Sequence, residues 1–173
     1  MTASTRRAAL GAILAAPLAS VPALAAPRPE ERADYRARLL QAYADDRACR
    51  PIDNVAAPDG IEDKACTLII RKSWATQTEV ATLPPPETLA GLGLAALAAA
   101  LYWEGEDPAS ESKDACAIGL IRAVLAFTGT TMPPGFIGFA DDPGHRQRDA
   151  AVWHAEGSIA PWARVEAEAM SCA

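Results

Sequence analysis

Residues 89–103 read Leu-Ala-Gly-Leu-Gly-Leu-Ala-Ala-Leu-Ala-Ala-Ala-Leu-Tyr-Trp, with no charged side chain among them. A helix of this composition is apolar on every side, so it must be enclosed by other elements or by lipid. At a rise of about 1.5 Å per residue it spans roughly 22 Å, short of the ~30 Å hydrocarbon core of a bilayer. The expectation is therefore a central buried helix around which the rest of the chain packs. Thr88 caps it, and Pro84-Pro85-Pro86 forms a stiff break before it. Gly91, Ala95 and Ala99 recur at every fourth residue, a spacing that lets a neighbouring backbone approach closely.

The flanking segments carry helical signals. Pro29 suits a first helical position, and Tyr35, Leu39 and Tyr43 form one stripe, which predicts a helix over 29–47 ended by Pro51. Thr67-Leu68-Ile69-Ile70 is rich in branched residues and admits a short strand. Cys66, Ile69, Ile70, Trp74 and Gln77 share a helical face, however, and no partner strand is evident, so a helix is preferred there. Asp107-Pro108 reads as a cap and helix start, with Gly129 as the stop near residues 127–128. Asp142-Pro143 offers another cap, for a helix to Glu156, and Pro161 opens a last one to about Met170. The fold expected is all-α: a small bundle of five to six helices around a central antiparallel hairpin over residues 88–128. The Gly/Pro-rich loop 129–144 carries Met132, Phe136, Ile137 and Phe139, and is expected to cover a core edge.

The N-terminus constrains location. Arg6 and Arg7 precede an apolar, Ala-rich run over residues 8–24 that Pro17 and Pro22 interrupt, and no acidic residue occurs before Glu30. Ala23-Leu24-Ala25 supplies a small-x-small site, so residues 1–25 read as a cleavable signal peptide and 26–173 as a single helical domain. Arg6-Arg7, preceded by Ser4-Thr5 and followed by Leu10, resembles the twin-arginine export signal. Ala9 stands where that signal has an aromatic residue or leucine, which keeps the general secretory route open. A periplasmic or secreted protein is expected, with the export machinery and signal peptidase as transient partners and no stable membrane span after cleavage.

Loss of Arg6 and Arg7 takes the 16 basic residues to 14 against 22 acidic ones, and the net charge from −6 to −8. Such a surface repels phosphate backbones, which argues against a nucleic-acid partner. Half the residues are apolar, but many are alanine, which buries little area, so the core should be thin. Cys49, Cys66, Cys116 and Cys172 make an even count, which in an exported chain favours disulfides. Of three pairings, Cys49–Cys66 with Cys116–Cys172 is preferred, because the first pair flanks a Pro/Asp/Gly-rich connection. Four free thiols are the alternative.

No recognised catalytic motif, phosphate-binding loop, dinucleotide fingerprint or haem attachment site is present. His145 and His154 are the only histidines. Nine residues apart on one helix, they differ by about 900° and point to opposite sides. His145 and Asp149 share a face, with Asp141 and Asp142 nearby. These four are weak metal or acid–base candidates, and a solvated helix start is the plainer interpretation. The four tryptophans are expected to fill the thin core rather than to line a ligand cage. No cofactor is expected.

Val80-Ala81-Thr82-Leu83-Pro84, followed by Thr88-Leu89-Ala90-Gly91-Leu92, resembles a group of short uncharacterised helical proteins of α-proteobacteria, over residues 80–127. The resemblance implies an all-helical fold and no mechanism. Together these features point to a non-catalytic binding or structural module with a protein or small-molecule partner. The alternative is a small exported enzyme or metal-dependent protein with its site around Asp141, Asp142, His145 and Asp149.

Overall fold

A computed structural model describes residues 29–172. The signal-peptide expectation, with Arg6, Arg7, Ala23 and Ala25, lies outside the described residues. Within them the chain is an all-helical bundle with no strand: α1 Pro29–Asp53, α2 Ile61–Ala81, α3 Leu89–Tyr102, α4 Ser112–Thr128, α5 His145–Trp153 and α6 Pro161–Ser171.

Helix α2 runs straight through Thr67–Ile70. Its buried residues, Ala65, Cys66, Ile69, Ser73, Thr76, Gln77 and Val80, follow three- and four-residue steps, so one face meets the core along the whole helix. That face packs against α1, α3 and α6, which makes α2 the hub of the bundle. Between α1, α2 and α3 lie Leu39, Tyr43, Val80, Leu94, Leu97, Ala98 and Leu101. A second cluster joins α1, α2 and α6 through Cys49, Ala65, Cys66, Ile69, Ala163 and Ala167. A third joins α3, α4 and the 129–144 loop through Ala100, Ile118, Ile121 and Phe139. Helix α3 is buried on most of its surface, as its composition demands. Thr88 caps it by accepting the Gly91 N–H at 3.1 Å.

Helix boundaries depart from expectation in two places. α1 continues past Arg47 to Asp53 with Pro51 inside its final turns. Arg50 reaches back to the buried Asp46 at 3.0 Å, and Ile52 packs on the second cluster. Those contacts, with the Ser158 N–H donated to the Ala48 carbonyl at 2.8 Å, hold the last turn despite the missing Pro51 donor. α4 begins at Ser112 rather than Pro108, because Asp107 is used in a separate turn. Its carboxylate accepts the Ala109 N–H at 2.8 Å and its carbonyl accepts the Ser110 N–H. Gly129 ends α4 in the left-handed region at φ 65°, as expected of a C-terminal glycine.

The loop 129–144 is held to the bundle by one carboxylate. Glu104, just beyond α3, has a side chain only 3% exposed. Its Oε1 accepts the Tyr43 hydroxyl at 2.8 Å and the Ile137 N–H at 2.7 Å, and its Oε2 accepts from the Arg47 guanidinium. Two helices and the loop therefore meet on one side chain. Burial pushes the Glu104 carboxyl upward in pKa, opposed by Arg47 and by both donors. Ile137 and Phe139 are buried, and Met132 and Phe136 pack onto two clusters, so the loop covers a core edge.

The close approach of α3 to its surroundings occurs at Gly93. A Cβ there would meet the Thr130 and Thr128 side chains, which are bonded to each other at 2.8 Å. Alanine is the better helix former by about 1 kcal/mol, but overpacking costs about 1–3 kcal/mol, so the steric effect wins. Gly93→Ala is expected to lower the urea midpoint by an amount equivalent to about 1 kcal/mol. Glu104→Ala leaves Arg47 and Tyr43 without their acceptor inside the bundle, and is expected to cost about 3 kcal/mol in the same measurement.

Candidate functional site

The polar cluster predicted around Asp141 does assemble, but its atoms are engaged in holding the loop. Arg122 of α4 grips Asp141 at 2.5 and 2.9 Å and Asp142 at 2.6 Å. Asp142 also accepts the Phe139 N–H at 2.9 Å, and the Arg122 guanidinium lies 4.9 Å over the Phe139 ring. The His145 Nδ1 sits 3.2 Å from the Ile137 carbonyl, which also accepts from Arg148 at 2.8 Å. Asp149 accepts the Trp153 indole N–H at 3.1 Å. His154 is exposed beyond the end of α5. Among the described residues, no group of three or more His, Cys, Asp or Glu side chains gathers in a way that would hold a metal ion.

All four cysteines are free thiols, so neither expected bridge is formed. Cys49 and Cys66 are buried together, with the Cys66 Sγ 3.7 Å from the Cys49 carbonyl. Burial drives both thiols upward in pKa, away from the reactive thiolate. Cys116 and Cys172 are exposed, and α4 shares no contact with α6, whose end precedes Cys172. The flanking-loop logic thus located one neighbouring pair, while the second pair was assigned by default and is not brought together.

A groove of about 700 Å³ lies where α2, the end of α3 and the start of α4 converge. Trp74 and Thr78 form one wall, Tyr102 and Trp103 the floor, and Glu106, Glu111, Lys113 and Asp114 the other side. Trp74 is 57% exposed and Tyr102 62% exposed, large values for aromatic side chains in a protein with so few of them. Tyr102 and Trp103 meet edge to face at 6.4 Å. Lys113 is neutralised by Glu111 at 2.9 Å, which leaves Glu106 and the buried Asp114 to set the sign of the groove. Asp114 is held in place by the Ser110 hydroxyl at 2.5 Å.

The sequence reading assigned Trp74 to the core face of α2, and the structure corrects this. Ser73 takes the inward position, in phase with Ile69, Gln77 and Val80, and Trp74 is turned about 100° from it. The signal was present in that phase relation, but a small polar residue drew less weight than an indole.

Among the described residues, no helix is long and apolar enough to cross a membrane. Comparisons with family models, with curated proteins and with solved structures found no match in any of the three.

The Arg122 clamp makes a pH prediction with a definite sign. Hydrogen bonding and the charge of Arg122 hold the Asp141 carboxyl below the ordinary carboxylate range. A depressed folded-state pKa gives stability that is present above about pH 4 and lost as pH falls through the lowered value. Arg122→Ala is expected to flatten the fall of the urea midpoint between pH 5 and pH 2.5. An unchanged slope would show that the clamp adds nothing to acid stability.

Proposed function

We propose that this protein is an exported, non-catalytic binding module of the periplasm or extracellular space, and that it takes a small organic cation in the Trp74–Tyr102 groove. The observation that carries this reading is the exposure of two large aromatic side chains beside carboxylates that lack a full complement of cations. Aromatic faces attract ammonium groups through the ring quadrupole, by about 0.5–1 kcal/mol at exposed sites and about 2 kcal/mol when desolvated. Nearby carboxylates add charge attraction, and the net charge of −8 after loss of Arg6 and Arg7 favours approach of a cation. The Asp141–Asp149 region supports the alternative enzyme reading less well, since its donors and acceptors are occupied in fixing the loop.

Export is supported by the leader features of the sequence and is tested by the intact mass of the protein recovered from its host's envelope. A chain beginning at Ala26 is expected, and a full-length chain would remove the export part of the proposal. The same spectrum reports the thiols, since a mass two hydrogens lower would mean that one bridge closes in that compartment.

For the groove, tryptophan fluorescence is titrated with choline and with 3,3-dimethylbutan-1-ol, its neutral isostere. Saturable binding of choline near about 1 mM, with the alcohol at least fivefold weaker, is expected. Trp74→Leu and Glu106→Gln should each weaken choline severalfold while the thermal midpoint stays unchanged. Equal binding of the two probes would make the groove a site for neutral apolar ligands. No saturable change with either would remove the groove from consideration.

A further inference from the structure

Helix α4 uses only half of its surface. Asp114, Ile118 and Ile121 face inward, and α3 is the one helix among those described that packs against it. On the opposite side Cys116, Gly119, Leu120, Ala123 and Phe127 are all exposed. They recur at i, i+3, i+4, i+7 and i+11, the spacing of a buried helical stripe. Leu120 is 66% and Phe127 73% exposed, and no charged side chain interrupts the row. A soluble face with this pattern is more apolar than solvation alone explains.

We infer that this face is an interface between two copies of the chain, with the two α4 helices packed antiparallel about a twofold axis near residues 121–122. An isologous contact requires the surface to be complementary to itself. This stripe is: the antiparallel register sets Leu120 over the partner's Ala123, and Phe127 over the partner's Cys116. Each large side chain therefore meets a small one, and Gly119, with no atom within 4 Å of a Cβ built on it, leaves room for the helices to approach.

Charge favours the same face. With a net charge of −6, most faces of two copies repel each other, whereas this face carries no carboxylate. Covering one such face on each copy buries roughly 800–1,000 Å² in total, below the standard interface size. A weak dimer, with a dissociation constant of about 10–100 μM, is the expectation.

Sedimentation velocity of the purified protein from about 1 to 200 μM tests the inference. The weight-average mass is expected to climb toward twice the monomer value. Leu120→Glu and Phe127→Glu should stay monomeric, with unchanged thermal midpoints because both side chains are already exposed in the single chain. A wild-type protein that remains monomeric at 200 μM overturns the proposal and leaves the face to a different protein. Glutamate variants that dimerise as well as the wild type overturn the assignment to α4. The register is tested in an F127C variant that also carries C172S. Mild oxidation should link position 127 of one copy to Cys116 of the other, and failure to cross-link in a dimeric sample overturns the antiparallel arrangement.

Discussion

The Glu104 carboxylate is the point on which the arrangement of this bundle depends. A buried acid is costly unless its lone pairs are filled, and here three donors from separate parts of the chain fill them: Tyr43 and Arg47 from α1, and the Ile137 backbone from the loop. Because the donors are scattered, satisfying one carboxylate fixes the height of α3 against α1 and seats the loop at the same time. Arg47 is shared further, lying 4.8 Å over the Tyr43 ring and 3.6 Å from Asp46, so the network runs along α1 to Arg50. This polar spine gives α1 and α3 a unique register that their smooth apolar faces would not enforce.

The need for such a device follows from the alanine content of α3. Leucine and phenylalanine interlock, but alanine packs with little shape to distinguish one rotation from another. The buried surface is accordingly divided into three modest clusters rather than gathered into one deep core. Specific polar contacts sit where the clusters meet. Glu104 bonds Tyr43 of the first cluster, and Arg122 with Asp142 closes the third over Phe139. These polar contacts join separate elements of the chain, which converts a weakly specifying core into a defined one.

Much of the helical order was legible in the sequence because periodicity and caps are local signals. Thr88, Gly129 and Pro161 mark helix ends where the structure places them, and the fifteen-residue apolar run announces its own burial. What escaped was set by tertiary contacts. Pro51 is carried inside α1 because Asp46 and the segment at Ser158 hold the final turn, and neither partner is visible from the proline. Glu104 stands in the acidic stretch Glu104-Gly105-Glu106-Asp107, where nothing local marks it for burial, and only the arrival of α1 and the loop makes it a buried acceptor. The groove combines Trp74 with Glu106 across more than thirty residues of chain, a juxtaposition that no local pattern encodes.

The same uneven packing grades the bundle from rigid to yielding. α2 touches three helices and buries residues along its full length, so its amides should open only with global unfolding. α5 has α1 as its one helical neighbour and buries no residue fully, which places it at the opposite end of the scale. α4 lies between them, packed on α3 and tied to the loop through Arg122. The groove spans this gradient, with Trp74 and Thr78 on the hub and Lys113 and Asp114 at the start of α4. One wall is therefore fixed while the other rests on a helix with a single helical neighbour. A ligand bridging the two walls would restrain the start of α4, and any contact on the outer face of that helix would restrain it from the other side. The two proposed surfaces share one mechanical element, so occupancy of either would lower the ordering cost at the other.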